Sequence, residues 1–307
     1  MKRLNPKTEV IDGYKVSADM KKVWQVELDI LTEFDRICKK HNLKYIMFDG
    51  SLLGVIRHGG FIPWDDDIDV AMTREEFNKF QKVAAKELKK PYFFQTTLND
   101  NVFRSIGQIR NSETTAIMYK EFLKDANQGI FIDIFIVDKL PMNKLKRRIQ
   151  RRRCRIMKSL LRFYRVYECK EKYDAKAKII KGLLNVFYGV VGYERFFRHY
   201  EKVCAKYNKT DSKEYNIIEY GYDDRIIRAE HLEELATYDF HYMKVPGPKD
   251  AEQFLTDYFG DWKTPVIGHD DHGSMFFDPE NPYTKYLKYS VSELKEIGKK
   301  KWLDKKR

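Results

Sequence analysis

Apolar residues recur at three- and four-residue steps between Met20 and Cys38. Met20, Trp24, Leu28, Leu31, Phe34 and Cys38 fall on one side of a helical repeat. The pattern predicts a helix over 17–41, with Ser17 as its N-cap and Asn42 at its exit. The period then shortens. "LKYIMF" (43–48) is rich in β-formers and reads as a buried strand. "DGSLLGVIRHGG" follows as a turn, a short helix and a glycine hinge. "DIDVAM" alternates acid and apolar residues, as a strand with one wet face does. Thr73 and Glu76 in "TREEF" have the spacing of a capping box and open a helix over 74–89. Segments 92–98, 103–110 and 114–119 read as strands. "GIFIDIFIVD" (129–138) is the strongest strand of all, apolar apart from Asp133 and Asp138.

Character changes after Pro141. Residues 144–165, "KLKRRIQRRRCRIMKSLLRFYR", are densely basic, and a helical pattern continues to about 207. The stretch from 214 to 290 mixes aromatic-rich pieces with turn signals such as "VPGPKD". No internal repeat and no low-complexity linker breaks the chain. The expected organisation is an α/β catalytic core with a mixed sheet (1–141), a basic helical insert (142–210) and a C-terminal segment (211–307) that packs back on the core.

Composition narrows the class. Of 307 residues, 43% are hydrophobic and 14% aromatic, so the chain can build a core and is not a disordered one. The cysteines, Cys38, Cys154, Cys169 and Cys204, form no CxxC pair and fit neither a zinc knuckle nor a secreted disulfide framework. The N-terminus has no apolar h-region, and the most apolar window, 179–193, is too short and too broken to span a bilayer. A cytoplasmic protein, soluble or peripheral on the inner membrane face, is expected. The net charge of +12 invites nucleic acid, an anionic membrane or a phosphorylated substrate. A non-enzymatic nucleic-acid binder would interleave basic and stacking residues, as "RFYRVY" does briefly, but it leaves a cluster of carboxylates unexplained. Nucleic acid is therefore not an expected partner.

That cluster is "WDDDIDV", where Asp65, Asp66, Asp67 and Asp69 crowd together in a basic protein. On a strand, Asp67 and Asp69 would face the same way, roughly 6.6 Å apart along the backbone. Carboxylates about 5 Å apart repel by roughly 3 kcal/mol at an effective dielectric of 20, and a bound Mg²⁺ removes that cost. Asp133, alone in an apolar strand, is the natural third acid if its strand lies beside the first. A run of acids is most often a solvated turn. Here it opens a buried strand and follows Gly50-Ser51, where a glycine lets the backbone approach a phosphate and Ser51 can donate to it. Gly-Ser, two spaced acids on a strand and a later acid on another strand form the pattern of the nucleotidyltransferase fold.

The stretch "FDGSLLGVIRHGGFIPWDDDIDVAM" also resembles the signature of the LicD family, which includes bacterial phosphocholine transferases and relates to fukutin-type phosphotransferases. The resemblance is dense over 43–80 and continues through "GIFIDIFIVDKLP". It returns at "VPGPKDAEQFLTDYFGDW" (245–262), similar to the family's closing motif. Asp49 departs from it, since many members carry a small or apolar residue before the glycine. So does "KTPVIGHDDHG", where the usual basic ending is not found. The resemblance implies phosphoryl transfer from a nucleotide-activated donor, CDP-choline or a related CDP-alcohol, to a sugar hydroxyl on a cell-surface glycan precursor. It carries metal-binding and catalytic roles onto Asp67, Asp69 and Asp133, and phosphate binding onto Gly50 and Ser51. The expected cofactor is Mg²⁺, with Mn²⁺ as the alternative. The rival reaction on the same fold transfers a whole nucleoside monophosphate.

Around these acids, Arg57 can hold a diphosphate oxygen and His58 can hydrogen-bond substrate, or both can be structural. Arg104 and Arg110 are further phosphate candidates, weighed against plain surface charge. Trp64 can stack on a base or meet a quaternary ammonium, or it can anchor the loop. Tyr258, Phe259 and Trp262 carry the same ambiguity. Lys249 can reach a phosphate or sit in an exposed turn. His269 and His272 flank two acids in "GHDDHG", a weak metal-site signal. The basic run 144–165 is expected to meet an anionic membrane surface electrostatically, since the acceptor implied by the resemblance is lipid-linked.

Overall fold

The computed structural model describes residues 3–166, 174–218, 225–266 and 275–303. A hairpin of β1 (Glu9–Ile11) and β2 (Tyr14–Val16) leads into α1 (Ala18–Lys40). The Ser17 hydroxyl caps α1, accepting from the Met20 amide at 3.1 Å, and Asn42 takes a positive φ of 52° as the chain leaves. Next come β3 (Ile46–Met47), α2 (Asp49–His58), β4 (Asp69–Thr73) and α3 (Arg74–Glu87). β3 is shorter than "LKYIMF" suggests, because its partner β4 pairs only Ala71 and Val70 with it. No turn separates β3 from α2: the helix starts at Asp49 directly after an extended Phe48. Thr73 caps α3, but the Glu76 carboxylate does not close the box. It accepts from the Lys44 amide instead and ties α3 to the chain entering β3.

Strands β5 (Tyr92–Gln95), β6 (Gly107–Asn111), β7 (Thr115–Met118) and β8 (Ile130–Lys139) follow. Residues 103–106, expected as strand, form a loop before β6. Three helices come next, α4 (Lys144–Val166), α5 (Ala175–Val191) and α6 (Tyr193–Cys204). The remainder is β9 (Glu214–Asn216), β10 (Ile227–Arg228), α7 (Glu230–Glu233), the hairpin β11 (Leu235–Phe240) and β12 (Met243–Pro248), α8 (Ala251–Phe259), β13 (Met275–Asp278) and α9 (Val291–Leu303). The "GHDDHG" histidines and Cys169 lie outside the described residues.

β8 is the spine of a seven-stranded mixed sheet. One edge pairs in parallel with β4, which in turn pairs antiparallel with β3. The other edge is shared: β6 runs antiparallel along Ile130–Ile134, and β9 takes over at Asp138 and Lys139. Both faces of β8 are buried, with Ile130, Ile132, Ile134 and Ile136 on one and Phe131, Phe135 and Val137 on the other, which is why "IFIDIFIV" does not alternate. Separate two-stranded sheets join β7 to β13 and β11 to β12.

The main core lies between this sheet and α1, with Trp24, Leu28, Leu31 and Phe34 fully buried. A second apolar cluster, built on Met157, Leu161, Tyr188, Phe197 and Tyr200, holds α4, α5 and α6 together. A buried ion pair connects the two. Arg74, at the start of α3, donates to both carboxylate oxygens of Asp138 at 3.0 and 2.6 Å, and approaches Glu201 of α6 at 3.5 Å. Among the described residues, no helix is long and apolar enough to cross a membrane.

Candidate active site

Sheet register assembles the site. Asp69 on β4 and Gln108 on β6 are both direct partners of Asp133 on β8. Residues paired directly across strands share a face, so the row Asp69–Asp133–Gln108 presents its side chains together. The condition set by the sequence, that the strand of Asp133 lie beside that of Asp69, is met. Asp67 precedes the strand rather than lying on it. The Asp133 amide still donates to the Ile68 carbonyl at 2.8 Å, which holds Asp67 at the mouth of the same row.

The row opens into a cleft of about 510 Å³. Asp67, Asp69 and Asp133 line one part of it. Arg104, Arg110, Lys158 and Arg162 also line it, so acids and cations face a common space. The two last come from α4, the basic helix. Arg110 is not a surface charge: it is 3% exposed. It donates to Gln95 Oε1, Gly129 O and Gln108 Oε1 at 2.6 to 2.7 Å and lies over the Phe131 ring. Burial, with Arg104 beside it, pulls its pKa down to about 9, so it keeps its charge at neutral pH. Arg104 donates to the same Gln108 oxygen at 3.1 Å and to Glu121 at 2.7 Å. Burial works to raise the Glu121 carboxyl, but Arg104 and Arg162 together hold it below its usual value.

Gln108 is therefore a relay. Its Oε1 accepts from two arginines, which leaves its Nε2 to donate to Asp133 Oδ1 at 2.6 Å. The sequence reading missed Gln108, since an amide in a strand carries no distinctive signal.

Asp69 is buried, and its carboxyl is raised well above the usual range. Burial is the first cause, and the nearby charges of Asp67, Asp49, Asp133 and Asp65 add to it. Glu27 of α1 is also buried, and it is raised by burial and then by Asp67, Asp66, Asp65 and Asp133. Its Oε2 accepts no hydrogen bond among the described residues. A signal for Glu27 was present: it sits three residues after Trp24 on the apolar stripe of α1, where an acid is out of place. The tightest grouping of carboxylates is Asp65, Asp66 and Asp67, whose ligand atoms lie within 4.8 Å of one another.

This donor set fits a hard divalent cation. It supplies only carboxylate oxygens, burial and the neighbouring acids raise Glu27 and Asp69, and Glu27 Oε2 has no donor among the described residues. Asp65, Asp66 and Asp67, whose ligand atoms converge, are the residues that would hold it, with Asp69, Asp133 and Glu27 as neighbouring carboxylates.

The loop carrying the acids is clamped from several sides. Trp24 Nε1 donates to the Asp65 carbonyl at 2.9 Å and stacks on Phe61 at 4.6 Å. His241, in the β11–β12 turn, donates its amide to Gly59 O at 2.7 Å and accepts from the Phe61 amide at Nε2. Desolvation of its ring, helped by the charge of Lys21, lowers its pKa to about 4, which keeps Nε2 an acceptor at neutral pH.

Several expected ligands are placed elsewhere. Gly50 and Ser51 lie in the first turn of α2 rather than in a turn before it. Ser51 is buried and its hydroxyl accepts from the Asp69 amide at 2.8 Å. A side chain at Gly50 would lie 2.9 Å from Asp65 Oδ2, so the glycine makes room for that carboxylate rather than for substrate. Arg57 donates to the Trp262 carbonyl at 3.0 Å, and His58 pairs with Asp12 at 3.0 Å. These bonds tie the end of α2 to the segment after α8 and to the β1–β2 turn, and neither residue lines the cleft. Trp64 is half-buried, edge-on to Tyr14, and does not line the cleft. Lys249 is an exposed turn lysine 3.5 Å from Glu234.

A smaller cavity of about 120 Å³ adjoins the cleft across Phe135. Asp49, Asn216, Arg225 and Tyr258 line it. Asp49 has a positive φ of 42°. Burial raises its carboxyl, and Arg225, 3.9 Å away, works against the rise. Arg225 lies over the rings of Tyr258 and Phe259. The closing motif thus reaches the site through α8, whose Phe254 and Tyr258 pack on Phe48.

The family model described as LicD/FKTN/FKRP, nucleotidyltransferase domain, matches residues 42–162, which contain the acid loop, β4, β6, β8 and most of α4. The lipopolysaccharide cholinephosphotransferase LicD of Haemophilus influenzae is 36% identical over 114 residues, 37% of this chain and 42% of that protein. An uncharacterised protein of Rickettsia prowazekii is 26% identical over 133 residues, 43% of this chain and 46% of its own. Another, of Rickettsia typhi, is 37% identical over 54 residues, 18% of each. The matches thus span less than half the length of these relatives. The segment 42–162 is thus similar to the LicD/FKTN/FKRP nucleotidyltransferase domain and to the Haemophilus protein.

Proposed function

We propose that this protein is a phosphotransferase that moves a phospho-alcohol from a CDP-alcohol to a sugar hydroxyl of a cell-surface glycan or its lipid-linked precursor. Phosphocholine from CDP-choline is the first candidate, and a lipopolysaccharide or teichoic acid the class of acceptor. We read the sheet as nucleotidyltransferase-like on the same grounds. The observation that carries the proposal is the cleft in which the row Asp69–Asp133–Gln108 meets Arg104, Arg110, Lys158 and Arg162. A diphosphate donor needs both halves of this arrangement. Cations neutralise its oxygens, and carboxylates hold the metal and accept a proton. The Haemophilus relative, a lipopolysaccharide cholinephosphotransferase, supports the choice of transferred group.

Mg²⁺, when bound, would neutralise charge on the donor diphosphate and on the attacked phosphorus. The residues supply the rest. Arg104, Arg110, Lys158 and Arg162 bind and orient the phosphates. Gln108 fixes Asp133 through Oδ1. We assign Asp133 Oδ2 to take the proton of the sugar hydroxyl as its oxygen attacks phosphorus. The new P–O bond forms as the bond to the CMP oxygen breaks, and CMP leaves with that electron pair. The buried Glu27 and Asp69 favour a metal or proton between the acids, which keeps Asp133 available as a base.

The test is incubation of the protein with Mg²⁺, a panel of CDP-alcohols and an acceptor glycan. Release of CMP with transfer of the phospho-alcohol is the expected result. Pyrophosphate release from a nucleoside triphosphate would replace this reading with nucleoside monophosphate transfer. No product from any donor would overturn both.

A further inference from the structure

α5 carries an unusual outer face. Ile179, Leu183, Val186 and Val190, spaced by four, three and four residues, are 65%, 66%, 69% and 81% exposed. They form one apolar stripe along a helix of roughly 25 Å. Leu184 and Tyr188 are its buried residues, and Lys181 and Phe187 also reach Tyr164 and Phe196. From Gly182 to Val191 there is no charged side chain at all. α4, packed beside it, repeats the theme with Leu145, Ile149 and Ile156 exposed. Isolated exposed apolar residues are ordinary; a continuous stripe of this kind marks a surface that binds something.

The charge says what. Neither α4 nor α5 contains an aspartate or glutamate. Arg148, Arg152, Arg153 and Arg155 of α4 are exposed, and Lys176 and Lys178 lie in the first turns of α5. A second copy of this chain would bring the same cations against them. An apolar stripe on helices that carry cations and no acids fits the acyl and headgroup layers of an anionic bilayer. No described helix is long and apolar enough to span, so the mode is lying on the surface.

We propose that α5, flanked by the outer face of α4, is a docking surface for an anionic lipid bilayer, with Ile179, Leu183, Val186 and Val190 inserted at the interface. The surface is distinct from the cleft, which uses the other side of α4 through Lys158 and Arg162. It also differs from the electrostatic attachment expected of residues 144–165, because an apolar insertion persists where charge is screened.

Flotation with vesicles of phosphatidylglycerol and phosphatidylcholine tests it, at low and high salt, alongside sedimentation of the protein alone. Wild type is expected to bind, to weaken about tenfold at high salt, and to keep measurable binding there. The double variant Val186→Asp/Val190→Asp should lose binding at least about tenfold with its melting temperature unchanged, since both positions are exposed. Arg148→Glu/Arg152→Glu should bind weakly and lose most of the salt dependence. Equal binding of wild type and Val186→Asp/Val190→Asp would overturn the inserted face. So would a wild-type dimer that the same substitutions dissociate, with no vesicle binding; the stripe would then be a contact between copies.

Discussion

Glu27 and Asp69 are buried carboxyls surrounded by other acids, and both are raised well above their ordinary pKa. The folded protein therefore retains protons that the unfolded chain releases near pH 4. Stability from these groups is fully present below that pH and falls as pH rises toward their folded values. In chelator, Asp69→Asn should thus gain stability relative to wild type as pH rises from about 4 to 8. Urea melts across that range check it, and parallel pH profiles for the two proteins would show that Asp69 is not proton-loaded. Mg²⁺ should stabilise wild type at neutral pH more than the variant. Asp133→Asn, which keeps the contact with Gln108 but removes the base, should lower turnover by about 10²- to 10⁴-fold. Near-wild-type turnover would move the base elsewhere.

α2 matters through where it ends and how closely it is approached. Gly59 takes the left-handed conformation that terminates it, with φ 61°. Inside the helix, a side chain at Gly54 would lie 2.5 Å from the Gly60 carbonyl and 3.2 Å from the Ile62 amide. That contact is backbone on backbone, and it sets the path of the loop toward Asp65. Gly→Ala in an open helix stabilises by about 1 kcal/mol. Gly54→Ala should instead destabilise by about 1–3 kcal/mol and reduce activity, because the acid loop must shift. Gly182→Ala in α5, with nothing within 4 Å, is the control and should stabilise slightly. Urea denaturation of the two variants separates the readings; equal gains would show that the loop yields freely.

Two of the links between the three-helix layer and the core differ in character. Arg74, Asp138 and Glu201 make a buried structural link. Lys158 and Arg162 reach into the cleft, so the basic helix completes the site as well as presenting charge outside it. Arg162→Ala leaves Glu121 paired with Arg104, so the fold should hold. The Km for the CDP-alcohol should rise about tenfold, equivalent to about 1.4 kcal/mol, with kcat little changed. Steady-state kinetics at several salt concentrations check this. A Km unchanged at every salt concentration would confine Arg162 to a structural role.

Periodicity and local chemistry were enough for the elements whose signals lie within a few residues. α1 with its Ser17 cap, α3 with Thr73 and the long strand β8 were all legible, because helix caps and apolar runs are short-range effects. The spacing of Asp67, Asp69 and Asp133 was legible too, since isolated acids in apolar strands are costly without partners. The contacts of Arg57, His58, Gly50 and Ser51 were not. Nearness in sequence to the acids suggested ligands, while the tertiary structure ties Arg57 and His58 to distant residues and uses Gly50 and Ser51 to support the acid loop. Gln108, Glu27 and Lys158 come from three separate elements, and only β-sheet register and helix packing bring them to Asp133 and its cleft. An amide, a buried acid or a lysine has no chemistry of its own that marks it in a sequence. Its role is defined by which charges stand within a few ångströms, and that is decided when the chain folds.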